Sequence, residues 1–255
     1  MSDLGTLYGV GVGPGASDLI TLRAVKVLQS AEVLALPRSS DFGASVAWEI
    51  IEPILTEPRP GQKRLRLTFP MTKDPSKVRP HVDAAVSAIG AHLVEGRSVA
   101  FVTEGDPSLF STFGYVRQEA RKRWPGLRVD VVPGVTSITA VAAVGGMPLA
   151  DGHERIAIVP ATYGVSDLVD LLTRFDTVVL MKLGGEMPTI LAALEQTGLT
   201  DRAFFVSKAT MAEQRLETDV QKLRDERGGC FSMLIVKRQD RSGVLLGGAP
   251  NEEIP

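Results

Sequence analysis

The sequence has little cysteine, few histidines and almost no net charge. Its 255 residues include one cysteine, Cys230, so an intramolecular disulfide is impossible and a reducing compartment is expected. Because Cys230 lies in an apolar run, we interpret it as a small buried side chain rather than a nucleophile. The formal net charge of −2 gives no broad field that would attract nucleic acid or an acidic membrane. The histidines, His81, His92 and His153, are scattered, and no metal site is predicted.

Long apolar runs are also missing. No run approaches the ~18 residues that a membrane-spanning helix needs, and no basic N-terminal stretch precedes an apolar core. The sequence therefore predicts neither a membrane span nor a signal peptide, and a cytoplasmic location is expected. A chain of 255 residues is long enough to bury a substantial core in one large or two medium domains.

Short apolar runs alternate with segments of helical period along most of the chain. This alternation is typical of an α/β protein with mostly parallel strands. The predicted strands are Thr6–Val12, Glu32–Leu36, Ser98–Thr103, Arg128–Val132, Ile156–Pro160, Thr177–Leu183, Ala203–Lys208 and Cys230–Lys237. The predicted helices are Asp18–Ser30, Ala44–Leu55 with a kink or end at Pro53, Val82–Leu93, Phe113–Trp124 and a small-residue segment that ends at Val144.

Breaks in this pattern predict two α/β domains. Gly145-Gly146-Met147-Pro148 interrupts the chain, so an N-terminal domain of residues 1–147 and a C-terminal domain of residues 148–238 are expected. Residues 239–255 contain glycines, prolines and few large side chains, and they are predicted to form a flexible tail.

A glycine-rich stretch, Gly9–Ala16, follows the first predicted strand. Glycine at every second position lets the backbone turn tightly and approach a ligand closely. The stretch matches the dinucleotide pattern G-x-G-x-x-A, but no acidic residue follows the second strand, which ends in Pro37-Arg38. Pro14 also removes one amide donor, and no Gly-Lys-Ser/Thr follows to make a phosphate loop. The stretch is therefore either a binding loop of another kind or a tight strand-to-helix turn.

Loops that follow strands are the places where an open α/β sheet binds its ligands. Four such loops stand out and are predicted to line one crevice: Gly13–Ala16, Glu104–Ser108, Pro133–Ser137 and Leu183–Glu186. The second carries two carboxylates, and Pro107 holds the preceding Asp106 in an extended conformation. A carboxylate at such a strand end favours a functional role over a purely structural one.

Three motifs together carry a resemblance to a known family. Gly-Val-Gly-Pro-Gly before Leu-x-Thr-Leu-Arg-Ala, then Glu-Gly-Asp-Pro-Ser, then Val-Val-Pro-Gly-Val-Thr-Ser occur in the order and spacing of the tetrapyrrole (corrin and porphyrin) methylases. The resemblance covers about residues 5–237. It implies two α/β domains, S-adenosylmethionine bound in the cleft between them, and a homodimer.

Within this family, residues 5–11, Phe69-Pro70-Met71 and Thr103–Pro107 most resemble the members that methylate precorrin-2 at C20. That resemblance implies a role in cobalamin synthesis, with precorrin-2 or its cobalt-containing counterpart as the tetrapyrrole substrate. Methylation of uroporphyrinogen-III at C2 and C7 is the main alternative within the family.

The resemblance also implies which residues bind the cofactor. They are Pro14, Glu104, Gly105, Asp106, Leu109, Thr136, Ser137, Met181, Ala209 and Thr210. Apolar members suit the adenine, hydroxyl groups suit the ribose or carboxylate, and a carboxylate can accept from the ammonium group. Related methylases often have glycine or another small residue before the threonine, so Ala209 fits only if its φ is not positive.

Removal of the C20 proton after methylation needs a base, and Glu104, Asp106 or a carboxylate of the substrate are the candidates. The acetate and propionate groups of precorrin-2 call for basic partners. The candidate substrate-binding residues are Arg38, Arg64 and Lys73, together with Gly13 and Gly15 of the glycine-rich stretch. Lys63–Arg66 is equally compatible with a solvated strand face.

Two other classes of protein would use part of these sequence features. An NADP-dependent oxidoreductase would use Arg38 for the 2′-phosphate, but it would have no use for the Glu-Gly-Asp-Pro and Pro-Gly-Val-Thr-Ser motifs. A tetrapyrrole carrier without catalytic activity would keep the basic residues and need no nucleoside pocket.

Overall fold

The computed structural model describes residues 4–40, 45–56, 59–72, 74–226, 229 and 231–239. The chain divides into two compact units, Met1–Ser137 and Ile138–Pro255. This division lies ten residues before the boundary predicted from Gly145–Pro148. Cys230, Lys73 and nearly all of the predicted tail lie outside the described residues.

The first unit alternates strands and helices. Its strands are β1 (Leu7–Gly11), β2 (Val33–Arg38), β3 (Lys63–Thr68), β4 (Val99–Thr103) and β5 (Val129–Val132). Its helices are α1 (Leu22–Ser30), α2 (Val46–Ile51), α3 (Pro75–Leu93) and α4 (Phe113–Arg123), and α5 (Ser137–Val144) begins at its last residue.

The strands of this unit form one sheet in the order β3-β2-β4-β1-β5, and every neighbouring pair is parallel. One apolar cluster packs on each face of the sheet. Phe101 of β4 belongs to the first cluster and contacts the rings of Phe69 and Phe113. Burial on both faces explains why β4 is a continuous apolar run, as parallel strands usually are.

Two helices begin elsewhere than the sequence predicted. The helix expected from Asp18 is a 3₁₀ turn, Ser17–Leu19, followed by α1, because Ile20 and Thr21 are extended and the Thr21 hydroxyl accepts a hydrogen bond from Ala24 N. The helix expected from Val82 begins seven residues earlier, at Pro75. Its start is stabilised by the Asp74 side chain, which accepts a hydrogen bond from Ser76 N.

The second unit contains β6 (Ile156–Pro160), α6 (Val165–Arg174), β7 (Thr177–Met181), α7 (Met187–Thr197), β8 (Ala203–Ser207), β9 (Arg215–Glu217) and β10 (Ser232–Lys237). Its sheet has the order β6-β7-β10-β8-β9. Only β6 and β7 pair in parallel, while β10 is antiparallel to both of its neighbours. The α/β class is therefore confirmed, with one parallel sheet and one mixed sheet.

Strand β3, with the sequence KRLRLT, lies at the sheet edge. The sequence of residues 63–66 is compatible with either a solvated strand face or a substrate contact, and the structure places these residues in a strand. Strand β9 was missed, since three residues are too few for a periodic signal. Within the described part of the chain, the helices are too short or too polar to cross a bilayer.

Candidate functional site

The carboxyl ends of β4, β1 and β5 lie side by side in the first unit. The connection from β1 to β2 and the connection from β4 to β5 run in opposite directions across the sheet. Such a change of direction opens a crevice at the carboxyl edge of a doubly wound sheet. Three of the four loops predicted to bind a ligand follow these strands, so the fold brings those three together.

The three loops contact one another through glycine backbone. Gly105 N donates to Gly13 O at 2.7 Å, and Gly13 N donates back to Gly105 O at 3.3 Å. A β-carbon on Gly134 would lie 2.2 Å from Gly105 O, and one on Gly11 would lie 2.6 Å from the same atom. No side chain fits at either position. Gly11 therefore makes the close approach predicted for the glycine-rich stretch, and the group it approaches is the protein's own backbone at Gly105 and Gly134.

Asp106 connects two of these loops. Its Oδ2 accepts a 2.9 Å hydrogen bond from Gly134 N, and its Oδ1 accepts from both the amide and the hydroxyl of Ser108. Partial burial raises the pKa of this carboxyl, but the hydrogen bonds from Ser108 and Gly134 outweigh that effect and lower the pKa below its ordinary value. Asp106 is consequently ionised, and its three hydrogen bonds hold the two loops together.

Glu104 lies two residues away in a different environment. Its Oε1 accepts a 3.1 Å hydrogen bond from Ala47 N, in the first turn of α2. Burial raises the pKa of the Glu104 carboxyl above its ordinary value, and the hydrogen bonds from Ala47 N and from its own amide oppose this only in part. Of the two carboxylates, Glu104 therefore has the higher proton affinity.

Other predicted cofactor residues of this unit lie on the same loops. Pro14 is buried, and Leu109 is half-buried, with its amide bonded to Asp106 O. Thr136 is half-buried, and Ser137 begins α5 with its amide facing Gly105. The edge thus combines apolar surface, hydroxyl groups and backbone polar groups.

The remaining predicted cofactor residues belong to the second unit. Met181 is the last residue of β7 and is half-buried. Ala209 follows β8, is buried, and has no positive φ, as its assignment requires. Its neighbours Lys208 and Thr210 have φ of 47° and 68°. These residues lie at the carboxyl ends of two strands that both pair with β10.

The candidate substrate residues are not all at the carboxyl edge. Arg38 is the last residue of β2, and its Nε donates to Thr68 Oγ1 at 3.3 Å. Arg64 is the second residue of β3, so it lies four residues, about 13 Å, from the carboxyl end of that strand. Its guanidinium stacks 3.7 Å from the centre of the Trp48 ring. This position favours the interpretation of Arg64 as part of a solvated strand face over its assignment as a substrate contact.

Sequence reasoning missed two residues of the first site. Ser108 donates to Asp106 twice, and the Asp-Pro-Ser sequence is itself a turn signal that predicts such bonds. Phe110 has a φ of 52° and is about half exposed, and no local pattern predicts either. No group of three His, Cys, Asp or Glu that could hold a metal ion is found among the described residues.

Comparison with characterised proteins identifies relatives along most of the chain. Cobalamin biosynthesis protein CobIJ of Mycobacterium tuberculosis is 35% identical over 224 residues, which is 85% of this chain but 43% of that protein. The chain therefore spans less than half the length of CobIJ. Cobalt-precorrin-2 C(20)-methyltransferase of Salmonella typhimurium is 34% identical, covering 92% of this chain and 97% of that enzyme. Precorrin-2 C(20)-methyltransferase of a Sinorhizobium species is 32% identical, covering 91% and 95%.

Solved structures share the fold. Cobalt precorrin-4 methyltransferase CbiF matches with a TM-score of 0.69 at 23% identity, covering 91% of this chain and 94% of that one. Uroporphyrin-III C-methyl transferase of Thermus thermophilus, complexed with S-adenosyl homocysteine, matches with a TM-score of 0.64 at 25% identity, covering 91% and 97%.

The family model for tetrapyrrole (corrin/porphyrin) methylases matches residues 6–224. This match includes the three motifs on which the resemblance rests and reaches into the second unit. The resemblance inferred from those motifs is confirmed, and the chain belongs to the tetrapyrrole (corrin/porphyrin) methylase family.

Proposed function

We propose that this protein transfers a methyl group from S-adenosylmethionine to C20 of precorrin-2, giving precorrin-3A in cobalamin synthesis. The observation that carries this proposal is the similarity, over more than 90% of the chain, to enzymes named for C20 methylation from Salmonella and Sinorhizobium. One of these names specifies cobalt and the other does not. The metal-free substrate is our first choice, and cobalt-precorrin-2 is the alternative.

The residues of the carboxyl edge fit S-adenosylmethionine. This cofactor has an adenine, a ribose and a charged amino acid end, so its site needs apolar walls, hydroxyls and backbone polar groups. Leu109, Thr136 and Ser137 supply such groups at the carboxyl edge of the first sheet, and Met181, Ala209 and Thr210 supply such groups at the carboxyl edge of the second sheet. The Thermus relative complexed with S-adenosyl homocysteine supports the same cofactor class.

Bound S-adenosylmethionine supplies an electrophilic methyl group. The chain's own task is to hold the meso carbon of the substrate against it, and such positioning contributes about 7–11 kcal/mol to lowering a reaction barrier. Asp106 serves this task by keeping the Glu104–Ser108 and Pro133–Ser137 loops together. Glu104, with its raised pKa, accepts the proton that C20 loses.

Arg38 is our candidate for binding the carboxylate side chains of the tetrapyrrole. It lies at the carboxyl end of β2, and β2 is the neighbour of β4, which carries Glu104 and Asp106 at its end. A guanidinium binds carboxylates through charge-assisted and often paired hydrogen bonds. We also propose a homodimer, as the family resemblance implies.

The oxidoreductase alternative is weakened by the start of α1. A dinucleotide site needs a helix that begins directly at the glycine-rich loop, so that its amides reach the pyrophosphate. Helix α1 begins at Leu22, after a 3₁₀ turn and two extended residues. No helix N-terminus of that kind therefore follows Ala16.

The first experiment tests the reaction itself. The purified protein is incubated without oxygen with methyl-labelled S-adenosylmethionine and metal-free precorrin-2, and the product is analysed by mass and carbon NMR. We expect one new methyl at C20. Uroporphyrinogen-III serves as the competing substrate, and methylation of it in preference to precorrin-2 would contradict the proposal. Repeating the assay with cobalt-precorrin-2 decides between the two forms.

Asp106→Ala is expected to raise the Kd for S-adenosylmethionine about tenfold or more. The variant loses hydrogen bonds to a charged acceptor, each contributing about 1.5–3 kcal/mol, and it releases the Pro133–Ser137 loop. Ser108→Ala is the matched control, because it removes one donor and leaves the Gly134 contact intact. Calorimetry measures both, and an unchanged Kd for Asp106→Ala would remove this residue from the binding site.

Glu104→Gln is expected to raise Tm at pH 7–8 while lowering kcat. The folded pKa of Glu104 is raised, so its protonated form is favoured on folding. That stabilising contribution is complete below the ordinary pKa of 4.5 and is lost as the pH rises through the folded value. Glutamine keeps an acceptor for Ala47 N without the buried charge, so the Tm difference should vanish below about pH 4.5.

Two results would contradict this assignment. A lower Tm at neutral pH would mean that ionised Glu104 stabilises the start of α2, as a carboxylate at a helix N-terminus can. An unchanged kcat would mean that another group takes the proton.

Arg38→Ala is expected to raise the KM for the tetrapyrrole about tenfold, as loss of one charge-assisted contact allows. Arg64→Ala is the matched control, since Arg64 lies about 13 Å from the carboxyl end of β3 and should leave KM within twofold. Steady-state methyl transfer at saturating cofactor measures both. A larger rise in KM for Arg64→Ala than for Arg38→Ala would instead place the substrate contact near Arg64 of β3 and Trp48 of α2.

A further inference from the structure

Four described residues other than glycine have a positive φ. They are Phe110 at 52°, Lys182 at 56°, Lys208 at 47° and Thr210 at 68°. All four lie in loops that follow strands: one after β4, one after β7 and two after β8. Residues with a β-carbon adopt this conformation only at a cost in free energy, and such strain concentrates at functional sites.

Two of these residues are lysines directly at the ends of their strands. Lys182 follows Met181, and Lys208 follows Ser207. Both side chains are exposed. Strands β7 and β8 flank β10, so the two positions are two strand spacings apart, about 10 Å. The pair therefore presents two cations at the carboxyl edge that carries Met181 and Ala209.

Main-chain hydrogen bonds hold the backbone at Lys208 and at the ends of both strands. Lys208 N donates a 2.8 Å hydrogen bond to Phe231 O, and Met211 N donates to Lys208 O at 3.0 Å. Met181 and Ser207 are held in register by their partners Met233 and Ser232 on β10. The left-handed turn is thus fixed on both sides of Lys208 by main-chain bonds.

The charge of Lys208 is only loosely compensated within the chain. Its Nζ lies 3.9 Å from Glu213 Oε2, and both side chains are about half or more exposed. Exposed ion pairs of this kind contribute little, so an incoming anion can replace the glutamate at small cost. Glycine would adopt the same backbone conformation without strain. A lysine at each of these positions therefore indicates a use for the side chain.

On these grounds, and resting on the proposed function, we propose that Lys182 and Lys208 bind carboxylate groups of the tetrapyrrole substrate. Both lysines belong to the second unit, so this proposal does not depend on Arg38. A porphyrinoid with several acetate and propionate groups offers carboxylates on different sides of its ring. Two lysines about 10 Å apart suit two such groups rather than one.

The test uses Lys182→Asn and Lys208→Asn, because asparagine tolerates positive φ and removes the charge. Lys122→Asn is the matched control: it is an exposed lysine in the last turn of α4, and that helix returns the chain to the opposite edge of the first sheet. Each site variant should raise the KM for the tetrapyrrole about tenfold, with kcat and the Kd for S-adenosylmethionine within twofold of wild type. The control should change none of the three.

Two further variants separate charge from backbone strain. Lys182→Gly should raise Tm or leave it unchanged and still lose tetrapyrrole affinity, whereas Lys182→Arg should retain that affinity. If Lys182→Gly binds the tetrapyrrole as tightly as the wild type, the proposal is overturned, because the backbone turn and not the lysine charge would then determine affinity. A KM unchanged in both asparagine variants would overturn it as well. So would a raised Kd for S-adenosylmethionine with an unchanged KM, which would assign the lysines to the cofactor carboxylate.

Direct binding of uroporphyrin III, measured by its fluorescence, keeps this test independent of the C20 assignment. If the wild-type protein binds this octacarboxylate but transfers no methyl to C20 of precorrin-2, the proposed function fails. The lysine proposal then stands if the asparagine variants bind uroporphyrin III about tenfold more weakly than the control. It fails if they bind it equally well.

Discussion

The close contact of Gly11, Gly105 and Gly134 is the constraint on which the binding edge of the first unit depends. These glycines belong to three separate motifs, yet their backbones are too close for a β-carbon at Gly11 or Gly134. The contact holds the loops after β1, β4 and β5 at hydrogen-bonding distance, and Asp106 reinforces it by accepting from Gly134 N. The motifs of this family thus form one packed unit, and its outer surface is available for the ligand.

The same packing shifts the pKa values of Glu104 and Asp106 in opposite directions, although the two residues are only two positions apart in the chain. Asp106 turns toward Ser108 and Gly134 and receives enough hydrogen bonds to lower its pKa, while Glu104 turns toward α2, where burial raises its pKa. Two carboxyl groups with opposite shifts are suited to different tasks. Asp106 keeps the loops in place, and Glu104 has the higher proton affinity.

The two units build their carboxyl edges in different ways. In the first unit, the positive-φ positions in the packed loops are glycines, Gly13 and Gly105, and Phe110 lies further along the loop after β4. In the second unit, Gly184 has a positive φ as well, but Lys182, Lys208 and Thr210 carry side chains at such positions. The first unit therefore obtains close backbone contact, whereas the second keeps charged and polar side chains at the cost of local strain.

The sequence by itself determined the family, the α/β class and the positions of most strands, because buried parallel strands such as β4 are continuous apolar runs and the motifs mark their ends. It also placed Glu104 and Asp106 in a loop that follows a strand, which is where the structure has them. Only the tertiary structure decided the antiparallel direction of β10, the partner that Gly11 approaches, which carboxylate has the raised pKa, and the distance of Arg64 from the carboxyl edge. Each of these depends on groups far apart in the chain, and local periodicity contains no information about such pairs.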